Sequence, residues 1–233
     1  MMLGDFKLDR FSACGASSEV WSARQISTGN LCAVKIVNPR LRRIQNDTRL
    51  AERFALEQSV RIEHPNVVRT LDTGEEWIAM EWLHGSTVRN LLRQSGPMSE
   101  QSVRRVIVQV ANGLTAVHEA GFVHGDMQTR NIMMGGKKCK LFDFGITSRI
   151  GNQIPGAKTI AMAPEQRAGQ TCPASDTWGL GIAMWEMLIG RSPLCEGDIE
   201  WSLLPSGTLS GVISECLNRE YGARPEMAVL AKL

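Results

Sequence analysis

The sequence changes its hydrophobic period once, near residues 82–86, and that change limits the folds open to it. Upstream, apolar residues come in short alternating segments: Phe6-Lys7-Leu8, Glu19–Ala23 and Leu31–Val37, with Ser27-Thr28-Gly29-Asn30 as the hairpin turn between the last two. Residues 48–62 carry Leu50, Phe54, Leu56 and Val60 at helical spacing. Two further strands are expected at Val67–Leu71 and Trp77–Trp82, broken by Asp72-Thr73-Gly74. Beyond Gly85 the pattern is helical. Ser99-Glu100-Gln101 opens a long run with Val103, Val106, Ile107, Val110, Leu114 and Val117 on one face, closed by Gly121. Another helix is expected from near Ser175-Asp176, and weaker helices over the C-terminal residues. Strands followed by helices predict an α+β fold, divided into residues 1–83 and 84–233.

The 233 residues are 43% hydrophobic and 21% charged, with a formal net charge of +2. That balance gives no charge excess to draw nucleic acid or an anionic membrane, and neither is expected as a partner. The basic run Arg40-Leu41-Arg42-Arg43 is read as a solvated approach to a helix. Six scattered cysteines form no C-x-x-C pair, which disfavours a zinc site or a disulfide framework and fits single thiols in a reducing cytoplasm. Charges in Met1–Lys7 argue against a signal peptide. The longest apolar stretch, Trp178–Gly190, is too short for a membrane span, contains Glu186, and reads as a buried helix.

The chemistry concentrates in two segments. His124-Gly125-Asp126-Met127-Gln128-Thr129-Arg130-Asn131 is followed closely by Leu141-Phe142-Asp143-Phe144-Gly145. Two aspartates and an asparagine at this spacing are the parts needed to position a hydroxyl and to hold magnesium on a phosphate chain. Lys35 lies inside an apolar strand, where an ammonium needs either a surface-facing position or an anion.

The first segment resembles the H-R-D-L-x-x-x-N catalytic loop of protein kinases and the second their D-F-G turn. With Cys32-Ala33-Val34-Lys35 and Ala163-Pro164-Glu165 in the same order, the chain from about Leu8 to Arg224 resembles a compact Hanks-type serine/threonine protein kinase catalytic domain. The resemblance implies a bilobal fold: a small antiparallel-sheet lobe with one main helix, then a larger helical lobe. It also implies ATP, magnesium and a protein substrate. Lys35 is implied to hold the α- and β-phosphates and to pair with a glutamate, Glu57 or the alternative Glu52. Asp126 is implied to orient the attacking hydroxyl, and Asn131 and Asp143 to ligate magnesium. Gly15 and Ser18 fall in the phosphate-covering loop. Val20, Ala33 and Met133 would sandwich adenine beside the hinge residues Met80, Glu81 and Leu83. His124, Asp176 and the Glu165–Arg224 pair are implied to be structural.

Several residues depart from the family pattern. Ala13-Cys14-Gly15-Ala16-Ser17-Ser18-Glu19-Val20 keeps one glycine of three, and a side chain at a position of positive φ would cost about 1–2 kcal/mol. Gly125 replaces the usual arginine, so control through a phosphorylated activation loop is not expected, and alanine at Thr147, Ser148 and Thr159 should be tolerated. Gln128 replaces a lysine that steadies the transferring phosphoryl, and Lys158 is a candidate to supply the missing charge. Arg130 stands where tyrosine kinases often have arginine, but Pro164-Glu165-Gln166 and the absence of tryptophan at Ala161 favour serine/threonine specificity. A pseudokinase scaffold and a small-molecule or RIO-like phosphotransferase are the alternative readings.

Overall fold

The computed structural model describes residues 1–15, 18–38, 48–145, 147–150, 162–193, 199–205 and 207–233, with residues 48–50 described by their backbone alone. Arg40, Arg42, Arg43, Ser17, Lys158, Thr159, Ala161 and Cys195 lie outside the described residues. The chain forms two compact units, one of residues Met1–His64 and Val68–Leu83, the other of Pro65–Val67 and His84–Leu233.

The first unit is a six-stranded antiparallel sheet ordered β1-β2-β3-β4-β6-β5. Its strands are β1 (Met2–Leu3), β2 (Phe6–Cys14), β3 (Ser18–Gln25), β4 (Leu31–Val37), β5 (Thr70–Gly74) and β6 (Trp77–Glu81). Helix α1 (Thr48–Ser59) is the main helix. Strand alternation assigns two faces. Cys32 and Val34 of β4 join Phe6, Ala23 and Ala79 in a small core edged by Leu8, Ile36 and Trp77. Register pairs of Val20 with Lys35, and of Ala33 with Met80, place those four residues together on the other face.

The strand expected at Val67–Leu71 starts later, and Asp72-Thr73-Gly74 does not break it but forms its second half. The turn falls instead at Glu75-Glu76. An irregularity between Thr70 and Asp72 restores the register, and Gly74 is required because the Trp77 indole occupies the place a Cβ would take. Val67 belongs to the second unit, where it makes a parallel bridge to Leu141.

The second unit is mainly helical. It contains β7 (Ser86–Thr87), α2 (Val88–Ser95), α3 (Glu100–Glu119), β8 (Phe122–Val123), β9 (Ile132–Gly135), β10 (Lys138–Leu141), β11 (Ser148–Arg149), α4 (Pro164–Arg167), α5 (Pro173–Ile189), α6 (Thr208–Cys216) and α7 (Met227–Leu230). The N-cap of α3 is Ser99, whose hydroxyl accepts the Ser102 N–H at 3.3 Å, and its apolar stripe is buried. Helix α5 starts two residues before the expected Ser175-Asp176, with Pro173 in its first turn, so Cys172 and not Asp176 occupies the N-cap. It ends at Gly190, left-handed at φ +82°.

Every residue of α5 from Ser175 to Leu188 is buried, as expected for a helix apolar on nearly all sides. Trp178, Leu180, Met184, Trp185 and Met187 fill one core with the α3 stripe, Ile132, Leu141, Leu209, Ile213 and Leu230. Burial raises the Cys139 thiol to about 11 and the Cys216 thiol to about 12, which keeps both protonated and inert. Among the described residues, no helix is long and apolar enough to cross a membrane.

Two glycines of α5 allow close packing. A Cβ on Gly179 would lie 2.7 Å from the Met127 carbonyl oxygen, and one on Gly181 2.8 Å from the Cys216 Cβ. The first obstacle is backbone and cannot rotate away. Gly179→Ala is therefore expected to lower stability by about 1–3 kcal/mol, read as a reduced urea midpoint, although alanine has the better helix propensity.

Candidate active site

In the first unit, β4 presents Lys35 on the face opposite the Phe6–Trp77 core. Its Nζ meets the Glu57 Oε1 at 2.6 Å, and both side chains are nearly buried. Glu57 projects from α1, whereas Glu52 on the same helix is exposed, so the pairing left open by the sequence goes to Glu57. Removing one partner of such a buried pair leaves an uncompensated charge and costs about 3–5 kcal/mol.

Gly15 donates its N–H to the Ser18 carbonyl at 2.7 Å, and Ser18 is buried at the start of β3. Asp143 is the only non-glycine residue with positive φ among the described residues. Ala13, Ser18 and Gly15 therefore carry no left-handed strain, and the penalty expected for the poor glycine loop does not arise. Met80 and Glu81 end β6, and Glu81 is fixed twice to Arg69: its N–H donates to the Arg69 carbonyl at 3.0 Å, and its Oε1 accepts the Arg69 N–H at 2.8 Å. Leu83 follows β6 and is half-buried, while Met133 lies on β9 in the second unit.

The second unit suspends the His124–Asn131 loop from one buried carboxylate. Asp176 Oδ1 accepts the Gly125 N–H at 2.9 Å; Oδ2 accepts the His124 N–H at 2.9 Å and contacts His118 Nε2 at 2.8 Å. Burial alone would raise its pKa, but the His118 contact and the backbone donors outweigh burial and hold it below the ordinary value. His124 is fully buried. Its Nδ1 accepts the Asp126 N–H at 3.3 Å, which makes Nε2 the protonated nitrogen that donates to the Phe142 carbonyl, also at 3.3 Å. The ring thus ties the loop to the residue before Asp143.

Both oxygens of Asp126 are held. Gln128 Nε2 donates to Oδ1, while Asn131 Nδ2 at 2.9 Å and Arg130 Nη2 at 3.0 Å meet Oδ2. The same Asn131 Nδ2 donates to the Asp126 carbonyl at 2.7 Å, so the amide end is committed to Asp126 and Oδ1 is the end left for another partner. Phe142 donates its N–H to the Asn131 carbonyl at 3.1 Å, bringing Asp143 beside Asn131. Asp143 is exposed and left-handed at φ +64°, a conformation that favours glycine and often marks a functional turn.

Asn131 and Asp143 offer two hard oxygen donors and no soft ones. No group of three or more His, Cys, Asp or Glu among the described residues could hold a metal alone. A partial oxygen set of this kind fits magnesium, which keeps waters and takes one or two protein oxygens beside phosphate, and does not fit a closed zinc site.

A second ion pair stands behind the loop. Arg224 Nη1 and Nη2 meet Glu165 Oε1 and Oε2 at 2.7 and 2.9 Å, a bidentate pair with both side chains buried, and Ser175 Oγ donates to Oε1 at 2.8 Å. Burial opposes ionisation of Glu165, but Arg224 and Ser175 together hold its pKa below the usual carboxylate value. Three contacts were not legible in the sequence. Arg130 follows Asp126 by four residues, the spacing of a helical ion pair, yet it acts here across a 3-10 turn. Thr129 Oγ1 donates to Glu186 Oε2 at 2.7 Å, and Gln166 reaches Gly125; neither leaves a local signal.

Glu165 and Asp176 contribute to the acid sensitivity of the fold. Their pKa values are lower folded than unfolded, so their stabilisation is complete above about pH 4.5 and is lost as pH falls through the folded values. Urea midpoints should therefore drop below about pH 4.5. Glu165→Gln should lower the neutral midpoint and flatten that acid limb.

A family model described as protein kinase domain matches residues 13–225. The chain is 31% identical over 215 residues to a probable serine/threonine-protein kinase of Corynebacterium efficiens, an alignment covering 83% of this chain and 32% of that protein. It is 30% identical to serine/threonine-protein kinase PknB of Mycobacterium leprae over 207 residues, 81% of this chain and 33% of the relative. PknB of Mycobacterium tuberculosis is similar at 30% over 208 residues, with 81% and 33% covered. The chain thus spans about a third of the length of these relatives. With its antiparallel-sheet unit, its helical unit and a match over nearly all of its length, the chain belongs to the protein kinase domain family.

Proposed function

We propose that this chain transfers the γ-phosphoryl group of ATP to serine or threonine hydroxyls of a protein substrate. The observation that carries the reading is the Asp126 carboxylate, held at both oxygens by Gln128, Asn131 and Arg130 on a loop whose backbone hangs from buried Asp176. In this reading Asp126 orients the substrate hydroxyl and accepts its proton, while Lys35, fixed by Glu57, binds the α- and β-phosphates. Asn131 and Asp143 hold magnesium by their side-chain oxygens. Magnesium, when bound, neutralises charge that develops on the phosphate oxygens. By the family pattern, Val20, Ala33 and Met80 of the first unit are assigned to face adenine, Met133 of the second unit is likewise assigned to the base, and Glu81 and Leu83 to offer it backbone groups. The names of the relatives support serine/threonine over tyrosine acceptors. The bidentate Glu165–Arg224 pair supports a protein kinase over the small-molecule phosphotransferase alternative.

The missing lysine at position 128 calls for a cation, and Arg130 has one already at the carboxylate. Its side chain is 47% exposed, so part of it remains accessible to a phosphoryl oxygen. We infer that Arg130, rather than Lys158, supplies that charge. Arg130→Ala should lower kcat by about 10- to 100-fold, while Lys158→Ala stays within about three-fold. The reverse order would return the role to Lys158.

The reading as a whole is tested with magnesium, labelled ATP and a generic protein acceptor, followed by phosphoamino-acid analysis. Label should appear on serine and threonine. Asp126→Asn should lower turnover by at least about 1,000-fold, and Asp143→Asn should abolish metal-dependent turnover while nucleotide binding persists. Nucleotide binding by the wild type without any transfer would make the chain a scaffold.

A further inference from the structure

Two consecutive residues of the loop, His124 and Gly125, have their backbone held on both sides. The His124 and Gly125 N–H groups both go to Asp176 on α5. Their carbonyls go elsewhere: Thr147 Oγ1 donates to the His124 oxygen at 3.4 Å, and Gln166 Nε2 donates to the Gly125 oxygen at 3.1 Å. Thr147 and Gln166 lie at opposite ends of the segment between the D-F-G turn and α4, and both are buried. Pairing of Ser148–Arg149 with Phe122–Val123 adds a strand contact at the first end.

Gln166 divides its amide between two tasks. Its Oε1 accepts the Ala163 N–H at 3.0 Å and so caps the start of α4, while its Nε2 reaches the loop. Gly125, at φ +76°, has no side chain with which to hold the segment. We propose that Gln166 is a positioning residue that latches the end of the activation segment to the catalytic loop through the Gly125 carbonyl, so that the loop is set for transfer with no phosphate on the segment. Thr147 and Ser148, being buried, are not presented to a phosphorylating enzyme. The inference rests on the phosphoryl-transfer reading above for its kinetic consequence alone.

Gln166→Glu separates the two tasks. The carboxylate keeps the acceptor for the Ala163 N–H, but it loses the donor to Gly125 and sets a negative oxygen against that carbonyl. A purely structural cap predicts an unchanged enzyme. The latch predicts, for phosphatase-treated protein, a kcat about 10- to 100-fold below wild type with KM for ATP within about two-fold, since a small misplacement of the reacting groups suffices. It also predicts faster amide hydrogen exchange in the peptide containing His124–Asn131. Gln166→Met, neutral and of similar length, loses both contacts and should shift both readouts the same way; if the glutamate variant fails to fold, unchanged readouts in the methionine variant overturn the latch. Unchanged exchange, or unchanged kcat in an active enzyme, overturns the latch. Loss of wild-type activity on phosphatase treatment overturns its independence of phosphate. If the wild type transfers nothing, the phosphoryl-transfer reading falls, and the exchange measurement alone decides the latch.

Discussion

The Asp176 carboxylate is the contact on which the geometry of the second unit depends. A buried anion is unfavourable unless its lone pairs are filled, and three donors fill these. Two of the donors are adjacent peptide N–H groups, so the carboxylate fixes the path of the loop as well as its distance. The rest of α5 completes the support. Gly179 lets the Met127 backbone lie against the helix, and Glu186 holds Thr129. Residues 176, 179 and 186 are separated by three and seven positions, which places them along one stripe of the helix. One rigid, wholly buried element thus sets residues 124, 125, 127 and 129, and the side chains between them inherit that placement.

The two buried ion pairs are better understood as position markers than as sources of stability. Removing two charges from water offsets most of what their attraction returns. What a pair of this kind does supply is a single allowed arrangement. Lys35 could take many rotamers in an open groove; with Glu57 at 2.6 Å it takes one. Arg224 binds Glu165 in a planar fork, donates to the Ala174 and Asn218 carbonyls at 2.8 and 2.7 Å, and stacks over Trp178 at 5.0 Å. Four constraints on one guanidinium leave α4 little freedom to drift from α5.

The elements legible in the sequence were those with a strong period. The α3 stripe and the β3–β4 hairpin follow from apolar spacing and a glycine-bearing turn, because local periodicity and burial agree there. Asp72-Thr73-Gly74 misled because turn-forming residues usually end a strand. Here pairing with β6 carries the strand through these residues, and the Trp77 ring lies where a side chain on residue 74 would sit, a tertiary effect that no local signal carries. The start of α5 was displaced for a similar reason. Asp176 has the residue type of an N-cap, but its carboxylate is engaged with the loop, and Pro173 opens the helix earlier. In the candidate site, residue types at motif spacing were readable, whereas Gln166 and Thr129 were not, since each acts on a residue more than 40 positions away.

The degenerate glycine loop shows how a motif can weaken without straining the fold. Glycine at such a position has two separable uses: it permits positive φ, and it lets backbone amides approach a phosphate closely. The first is not needed here, because neither Ala13 nor Ser18 has positive φ, and Gly15 and Ser18 hydrogen-bond through their backbones. Only the second is affected by the added side chains. In the proposed reading, loss of close approach would act on nucleotide affinity, while the groups assigned to orient the hydroxyl belong to the second unit and its own scaffold of hydrogen bonds. Under the proposed function this separation predicts a division of labour, in which changes near Gly15 act on nucleotide binding and changes around Asp126 act on turnover.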